Sequence, residues 1–128
     1  MRKQITSAQG APPKGIYSPA IVADGPAVYI SGQGPVDPET GNFVFGSFEE
    51  QAKLTFDNVT ALLEAAGTSW ASVVKVGVFL ANLGNFGKMN EIYKTYLTEP
   101  YPARTTIQAG LPGGMEIEVD CIALVSQE

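Results

Sequence analysis

Apolar and polar positions change period along this chain, and the changes mark its elements. Ala52, Phe56, Val59, Leu63 and Ala66 recur at three- and four-residue intervals, which places them on one side of a helix. Ser47-Phe48-Glu49-Glu50 stands before that stripe as a capping box: the Ser47 oxygen covers a free amide, and Glu50 reciprocates. Gly67 supplies a C-terminal stop, so a helix of about five turns packed on a sheet is expected. From Val73 to Leu80 the period becomes two, with Val74, Val76, Val78 and Leu80 on one face and Val73, Lys75, Gly77 and Phe79 on the other. A strand with so few polar positions is expected to be buried on both faces. A second helix, with Asn85 as its cap, turns Phe86, Met89, Tyr93 and Tyr96 inward and stops before Pro100 and Pro102.

Both ends of the chain read as hairpins. Asp24-Gly25 lies between Ala20-Ile21-Val22 and Ala27-Val28-Tyr29-Ile30-Ser31, the pattern of two strands joined by a tight turn. Gly32-Gln33-Gly34-Pro35 ends the second of these strands, and residues 37–41 form a further turn marked by Pro38 and Gly41. Residues 7–20 are rich in Pro, Gly, Ala and Ser and read as an ordered arm anchored by Ile16 and Tyr17. Near the C-terminus, residues 104–109 and 116–125 are two strands flanking Leu111-Pro112-Gly113-Gly114. The sum is an α+β domain whose two helices cover one sheet face.

Composition narrows the function classes. A chain of 128 residues is expected to form one domain, residues 1–128. Its charged fraction, 16%, is below the usual value of about 25%, which leaves surface for partner subunits. There is no histidine, so Ser-His-Asp triads, Cys-His dyads and the commonest metal ligand are excluded. A net charge of -5 with scattered Lys and Arg speaks against nucleic acid as a partner. Neither a Walker-type loop nor a Gly-x-Gly-x-x-Gly fingerprint is present to bind a nucleotide cofactor. Cys121 has no second cysteine to pair with, and no stretch resembles a signal peptide or a membrane span, so a cytoplasmic protein is expected.

The chemistry concentrates between Tyr101 and Asp120. Period two puts Met115, Ile117, Val119 and Cys121 on one face of the last strand and Glu116, Glu118 and Asp120 on the other. If the strands on either side of the Leu111–Gly114 turn pair, Arg104 and Glu118 can face one small cleft suited to a compact anion. A guanidinium fork donates two parallel hydrogen bonds to a carboxylate and so fixes its orientation. The plainer alternatives are an ion pair of Arg104 with Glu118 or Asp120, and a solvated edge for the other acids. Thr105 and Thr106 alternate, so only one shares the side of Arg104. Tyr17, Ser31 and Asn90 read individually as a packing anchor, a strand end and a solvated helix residue; Cys121 reads as a buried thiol and Trp70 as a core cover.

Together, the segments resemble the RidA (YjgF-type) family of reactive-intermediate deaminases, also known as L-PSP endoribonucleases. The resemblance rests on Gly15-Ile16-Tyr17-Ser18, Val28-Tyr29-Ile30-Ser31-Gly32-Gln33, Asp37-Pro38-Glu39-Thr40-Gly41, Asn58, Glu64-Ala65-Ala66-Gly67, Asn90-Glu91-Ile92-Tyr93, Pro102-Ala103-Arg104-Thr105-Thr106 and Ile117-Glu118-Val119-Asp120. It implies a chorismate-mutase-like fold, a homotrimer with clefts between subunits, no cofactor, and hydrolysis of imines or enamines such as 2-iminobutanoate and 2-aminoacrylate to 2-oxo acids and ammonia. In that light Arg104 matches the carboxylate-binding arginine and Glu118 the glutamate that handles water. Tyr17, Ser31, Gly32, Asn90, Tyr93 and Thr106 match positions lining the cleft. The sequence departs from the family pattern at Ile16, usually proline, at Gly34, usually a larger apolar residue, and from Arg104 to Leu111, which is one residue shorter. Those departures bear on the substrate more than on the reaction. A non-catalytic metabolite-binding trimer is the alternative reading, with RNA cleavage behind it.

Overall fold

A computed structural model describes residues 1–125; residues 126–128, the last of the expected domain, lie outside the described residues. Helix α1 (Phe48–Ala65) begins as its capping box dictates, with Ser47 Oγ accepting from the Glu50 amide at 3.1 Å and Glu50 Oε1 accepting from the Ser47 amide at 3.2 Å. It ends at Ala66, followed by Gly67 at a φ of 78°, a conformation that a side chain at that position would oppose. Ala52, Phe56, Val59 and Leu63 are fully buried, and each of the three large ones contributes about 1.5–3 kcal/mol by leaving water.

The main sheet has four strands: β3 (Ala27–Gln33), β4 (Val73–Leu80), β5 (Ala103–Gln108) and β6 (Ile117–Leu124), in the order β3-β6-β4-β5. The β4–β5 pair is parallel, while β6 runs antiparallel to both neighbours. Neither terminal hairpin exists. The strand β2 (Ala20–Ala23) pairs with β1 (Arg2–Ile5) in a separate two-stranded ribbon, and β3 pairs with β6 instead. Backbone bonds explain the parting at Asp24-Gly25: the Asp24 amide donates to the Met1 carbonyl, and the Pro26 carbonyl accepts from Val125. At the other end β4 lies between β5 and β6, so the Leu111–Gly114 turn connects strands that do not pair.

Helix α1 and helix α2 (Phe86–Tyr93) cover one sheet face. That face receives Val76, Val78 and Leu80 from β4 and Ile117, Val119 and Cys121 from β6, all buried. On β4 a bulge between Val73 and Lys75 shifts the alternation, so Val73 is buried while Val74 is only half-buried. The second face of β4 was expected to be buried too. Its Lys75 is exposed, and Gly77 and Phe79 are only half-buried, so among the described residues this face is incompletely covered. The same open face carries Tyr29, 75% exposed, and Ile107, 45% exposed.

The second helix departs from expectation at its start. Asn85 occupies the N-cap position without a capping bond, and a 3-10 turn over Leu83–Asn85 leads into the helix, with Asn82 Oδ1 accepting from the Gly84 amide at 2.8 Å. Met89 and Tyr93 are buried as predicted, but Phe86 remains 38% exposed and points elsewhere than the core. Trp70 covers the core, as predicted, and donates its indole N–H to Thr60 Oγ1 at 2.8 Å.

Candidate functional site

Arg104 occupies the second position of β5, opposite Val76 in the parallel ladder, and so shares the helix-covered face. Its guanidinium lies 5.0 Å from the ring centre of Tyr93 and 5.6 Å from that of Phe86, and Nη1 donates to Asn90 Oδ1 at 2.7 Å. All three partners come from one face of α2, since residues 86, 90 and 93 follow helical spacing. Tyr93 is itself fixed between aromatic neighbours, 5.8 Å from Phe56 and 6.4 Å from Trp70 between ring centres. Helix packing thus sets the ring on which the guanidinium rests.

The plainer alternative, an ion pair of Arg104 with Glu118 or Asp120, is absent among the described residues. Burial lowers the proton affinity of Arg104, offset in part by the nearby Tyr93 and Tyr17 phenols. A guanidinium has five N–H donors, and only the bond to Asn90 is made here among the described residues. Thr106 shares this face, opposite Val78, and its buried hydroxyl has no partner among the described residues. Thr105 faces the other way and accepts from Lys75 Nζ at 2.9 Å. The Tyr93 hydroxyl is likewise buried without a partner among the described residues, and burial raises its pKa. Tyr17 is half-buried, and its phenol oxygen accepts from the Lys14 amide at 3.1 Å, which leaves the phenol proton free to donate outward.

Glu118 is elsewhere. It stands opposite Phe79 on β4, whose side chain is on the open sheet face, while Val76, opposite Arg104, is on the covered one. Arg104 and Glu118 of one chain therefore lie on opposite faces of the sheet, and the single-chain cleft that pairing of their two strands would have made is not formed. Two-residue alternation across the intervening β4 decides this. Glu118 lies against Gly32, where a Cβ would overlap its carboxylate. The ladder of β3 with β6 shifts register between Ile30 and Gln33, and this bulge turns Ser31 and Gly32 toward the open side. Asp120 packs similarly over Gly77. Since β6 is internal to the sheet, the acids do not line a solvated edge.

The sequence-predicted site residues thus form two groups. Arg104, Asn90, Tyr93 and Thr106, with Tyr17 beside them, gather on the helix side; Glu118, Gly32 and Ser31 gather on the open side. Phe86 was missed as a site residue because its spacing reads equally well as core. Cys121 is buried, and its thiol is pushed up to about 12, first by burial and then by Asp120.

Residues 8–125 match the Endoribonuclease L-PSP family, the RidA (YjgF-type) proteins. The chain belongs to this family. It is 44% identical to a RutC family protein of Pyrococcus abyssi over 96% of this chain and 98% of that protein. It is 42% identical to the 2-iminobutanoate/2-iminopropanoate deaminase of Rattus norvegicus, over 97% of this chain and 90% of the relative. The crystal structure of RidA from the Antarctic bacterium Psychrobacter sp. superposes with a TM-score of 0.74 at 41% identity, covering 96% of this chain and 99% of that one. The fold is that of RidA proteins.

Two departures from the RidA pattern now have physical settings. Gly34 is buried, and a Cβ there would stand 2.5 Å from the Met115 sulfur, so the thioether fills the space that a larger residue 34 would need. Asn58 fixes the same loop, donating to the carbonyls of Gly34 at 3.1 Å and Val36 at 2.8 Å. The segment after Arg104, expected to be one residue shorter than in relatives, is tied back where Gln108 Oε1 accepts from the Leu83 amide at 2.9 Å, just ahead of α2.

Proposed function

We propose that this protein hydrolyses reactive imines and enamines of small amino acids, such as 2-iminobutanoate and 2-aminoacrylate, to 2-oxo acids and ammonia. The observation that carries the reading is Arg104: half-buried, held by two rings and an amide, and without a carboxylate partner among the described residues. A preorganised guanidinium with open donors suits the carboxylate that such substrates carry. The deaminase names of relatives about 40% identical over nearly the whole chain support the reaction class.

In this reading Arg104 binds the substrate carboxylate and presents the imine carbon to a water held by Glu118. Water adds to the carbon as Glu118 takes its proton; the proton passes to nitrogen, and the tetrahedral carbinolamine collapses to the 2-oxo acid and ammonia. Fixed placement of carboxylate and water supplies much of the acceleration. Tyr17, Asn90, Tyr93 and Thr106 shape the carboxylate side, and Ser31 and Gly32 the water side. No cofactor has a part in this chemistry.

Because the two groups occupy opposite sheet faces, the Glu118 that serves a given Arg104 comes from another copy of the chain. A homotrimer with its clefts between subunits meets that requirement, and the open sheet face with Tyr29, Phe79 and Ile107 is the surface available for it.

The test is ammonia release from 2-iminobutanoate generated in situ by an amino-acid oxidase, together with the mass in solution. Arg104→Ala loses charge-assisted hydrogen bonds worth about 1.5–3 kcal/mol, a loss in kcat/KM of roughly 10- to 150-fold, with folding retained. An equally active Arg104→Ala protein, or an active monomer, would refute the site. Binding of 2-oxobutanoate without any turnover would favour a metabolite-binding trimer.

A further inference from the structure

Three consecutive carbonyls lead into Arg104, and all three accept hydrogen bonds from the N-terminal segment. Arg2 Nη2 donates to Pro100 at 2.9 Å, Ser18 Oγ donates to Tyr101, and the Ser18 amide donates to Pro102 at 3.0 Å. Pro100 and Pro102 have no N–H of their own, so this approach cannot be organised by a regular ladder and depends on outside donors. Arg2 also donates through Nε to the Val73 carbonyl at 2.7 Å, where β4 begins. One guanidinium therefore ties the first residue of β4 to the segment that feeds its neighbour β5.

Ser18 does the same from the other side. It is 1% exposed and forms a parallel bridge with Ala103, the residue before Arg104. Its neighbour Tyr17 is thereby carried to the flank of Arg104. The phenol also fixes its own loop through the Lys14 amide, so a displaced Ser18 would displace a whole turn of the arm.

We infer that Arg2 and Ser18 are positioning residues, which hold the Pro100-Tyr101-Pro102 approach and thereby set the placement of Tyr17 and the Arg104 guanidinium. The inference deepens the proposed function and rests on it for its kinetic consequence, although its structural consequence stands separately. Both residues are turned to the backbone: Arg2 Nε and Nη2 and the Ser18 hydroxyl donate to carbonyls. Their effect passes through the carboxylate clamp, so they govern substrate binding more than turnover.

The experiment follows the Arg104 Nε–H resonance by NMR, assigned through its loss in Arg104→Lys and sensitive to the ring currents of Phe86 and Tyr93. Ser18→Ala and Arg2→Ala should each shift or broaden it, whereas Gln9→Ala, at an exposed arm position, should not. In parallel, KM for 2-iminobutanoate should rise about tenfold in both variants, with kcat within about twofold of the parent. An unmoved Arg104 resonance in both variants overturns the inference, as does a moved resonance with unchanged KM in an active enzyme. If the parent protein releases no ammonia, the proposed function fails and the resonance alone decides the inference. Arg2→Ala alters a half-buried surface residue and keeps the test decisive should Ser18→Ala fail to fold.

Discussion

Gly32→Ala is a small change that separates the fold from the proposed chemistry. A Cβ built at residue 32 would overlap a Glu118 carboxylate oxygen and stand 2.8 Å from its carboxyl carbon and 3.1 Å from its Cγ. Ordinary carbon contacts lie near 3.5–4.0 Å, so the carboxyl group must retreat by roughly 1 Å. The obstacle is the far end of a flexible side chain and not backbone, so Glu118 can yield by changing rotamer at a cost of about 0.5–1.5 kcal/mol. The backbone at residue 32 is not in the left-handed region, and alanine gains about 0.4–1 kcal/mol by restricting the unfolded chain. The two terms nearly cancel, and the midpoint of thermal unfolding should move by no more than a few degrees. Turnover should not be so tolerant, because a misplacement of about 1 Å at a water-handling group costs on the order of 100-fold. Ammonia release from 2-iminobutanoate should fall accordingly and match Glu118→Gln, while 2-oxobutanoate still binds. A Gly32→Ala protein with parental kcat/KM would show that the placement of Glu118 is irrelevant to the reaction. One that fails to fold would show that the contact with Glu118 is rigid.

Two further outcomes concern stability. Ser47→Ala removes the oxygen that accepts from the Glu50 amide at 3.1 Å, and should destabilise α1 by about 1 kcal/mol, read as a drop in Tm of roughly 3–5 °C; an unchanged Tm would mean that the helix start is held by its packing alone. Alkaline pH should also weaken the fold: Cys121 ionises at about 12 in the folded chain against an ordinary 9.0, and burial raises Tyr93 and Tyr96 in the same direction. In that window the unfolded state binds fewer protons than the folded one, so stability is intact below pH 9 and declines as pH rises toward 12. Urea midpoints at pH 8.0, 9.5 and 10.5 should decrease in that order, and a constant or rising midpoint would refute the assignment of Cys121 and Tyr93 as buried and neutral.

Local signals were legible where one element could satisfy them by itself. The Ser47–Glu50 box needs only its own first turn, and it appears with both reciprocal bonds. Met115, Ile117, Val119 and Cys121 share a buried face because two-residue alternation is fixed by strand geometry whatever the neighbours are. Asp37–Gly41 turns as its residues require, with the Gly41 amide on the Asp37 carbonyl at 2.8 Å. Asn85 shows the limit of such signals. Its residue type suits a cap, yet the preceding 3-10 turn takes over the helix entry.

Strand partners were not legible in the same way. Asp24-Gly25 and Leu111–Gly114 have turn composition, but a turn fixes only the direction of the chain over a few residues. Which strands then pair depends on ladder bonds and core contacts contributed by distant segments, such as β1 claiming β2 and β4 inserting between β5 and β6. The position of Phe86 was hidden for a related reason: its helical spacing is that of a core residue, and only the arrival of β5 beneath α2 gives its ring a guanidinium to cover.

By itself, the sequence determined the class of fold and the family, and it singled out Arg104 and Glu118 as candidates, because motif spacing and apolar period are properties of the chain. Tertiary structure alone decided how those two residues stand to one another. With β4 between their strands, Arg104 is opposite Val76 and Glu118 is opposite Phe79, an odd number of residues apart, and alternation sends them to opposite faces of the sheet.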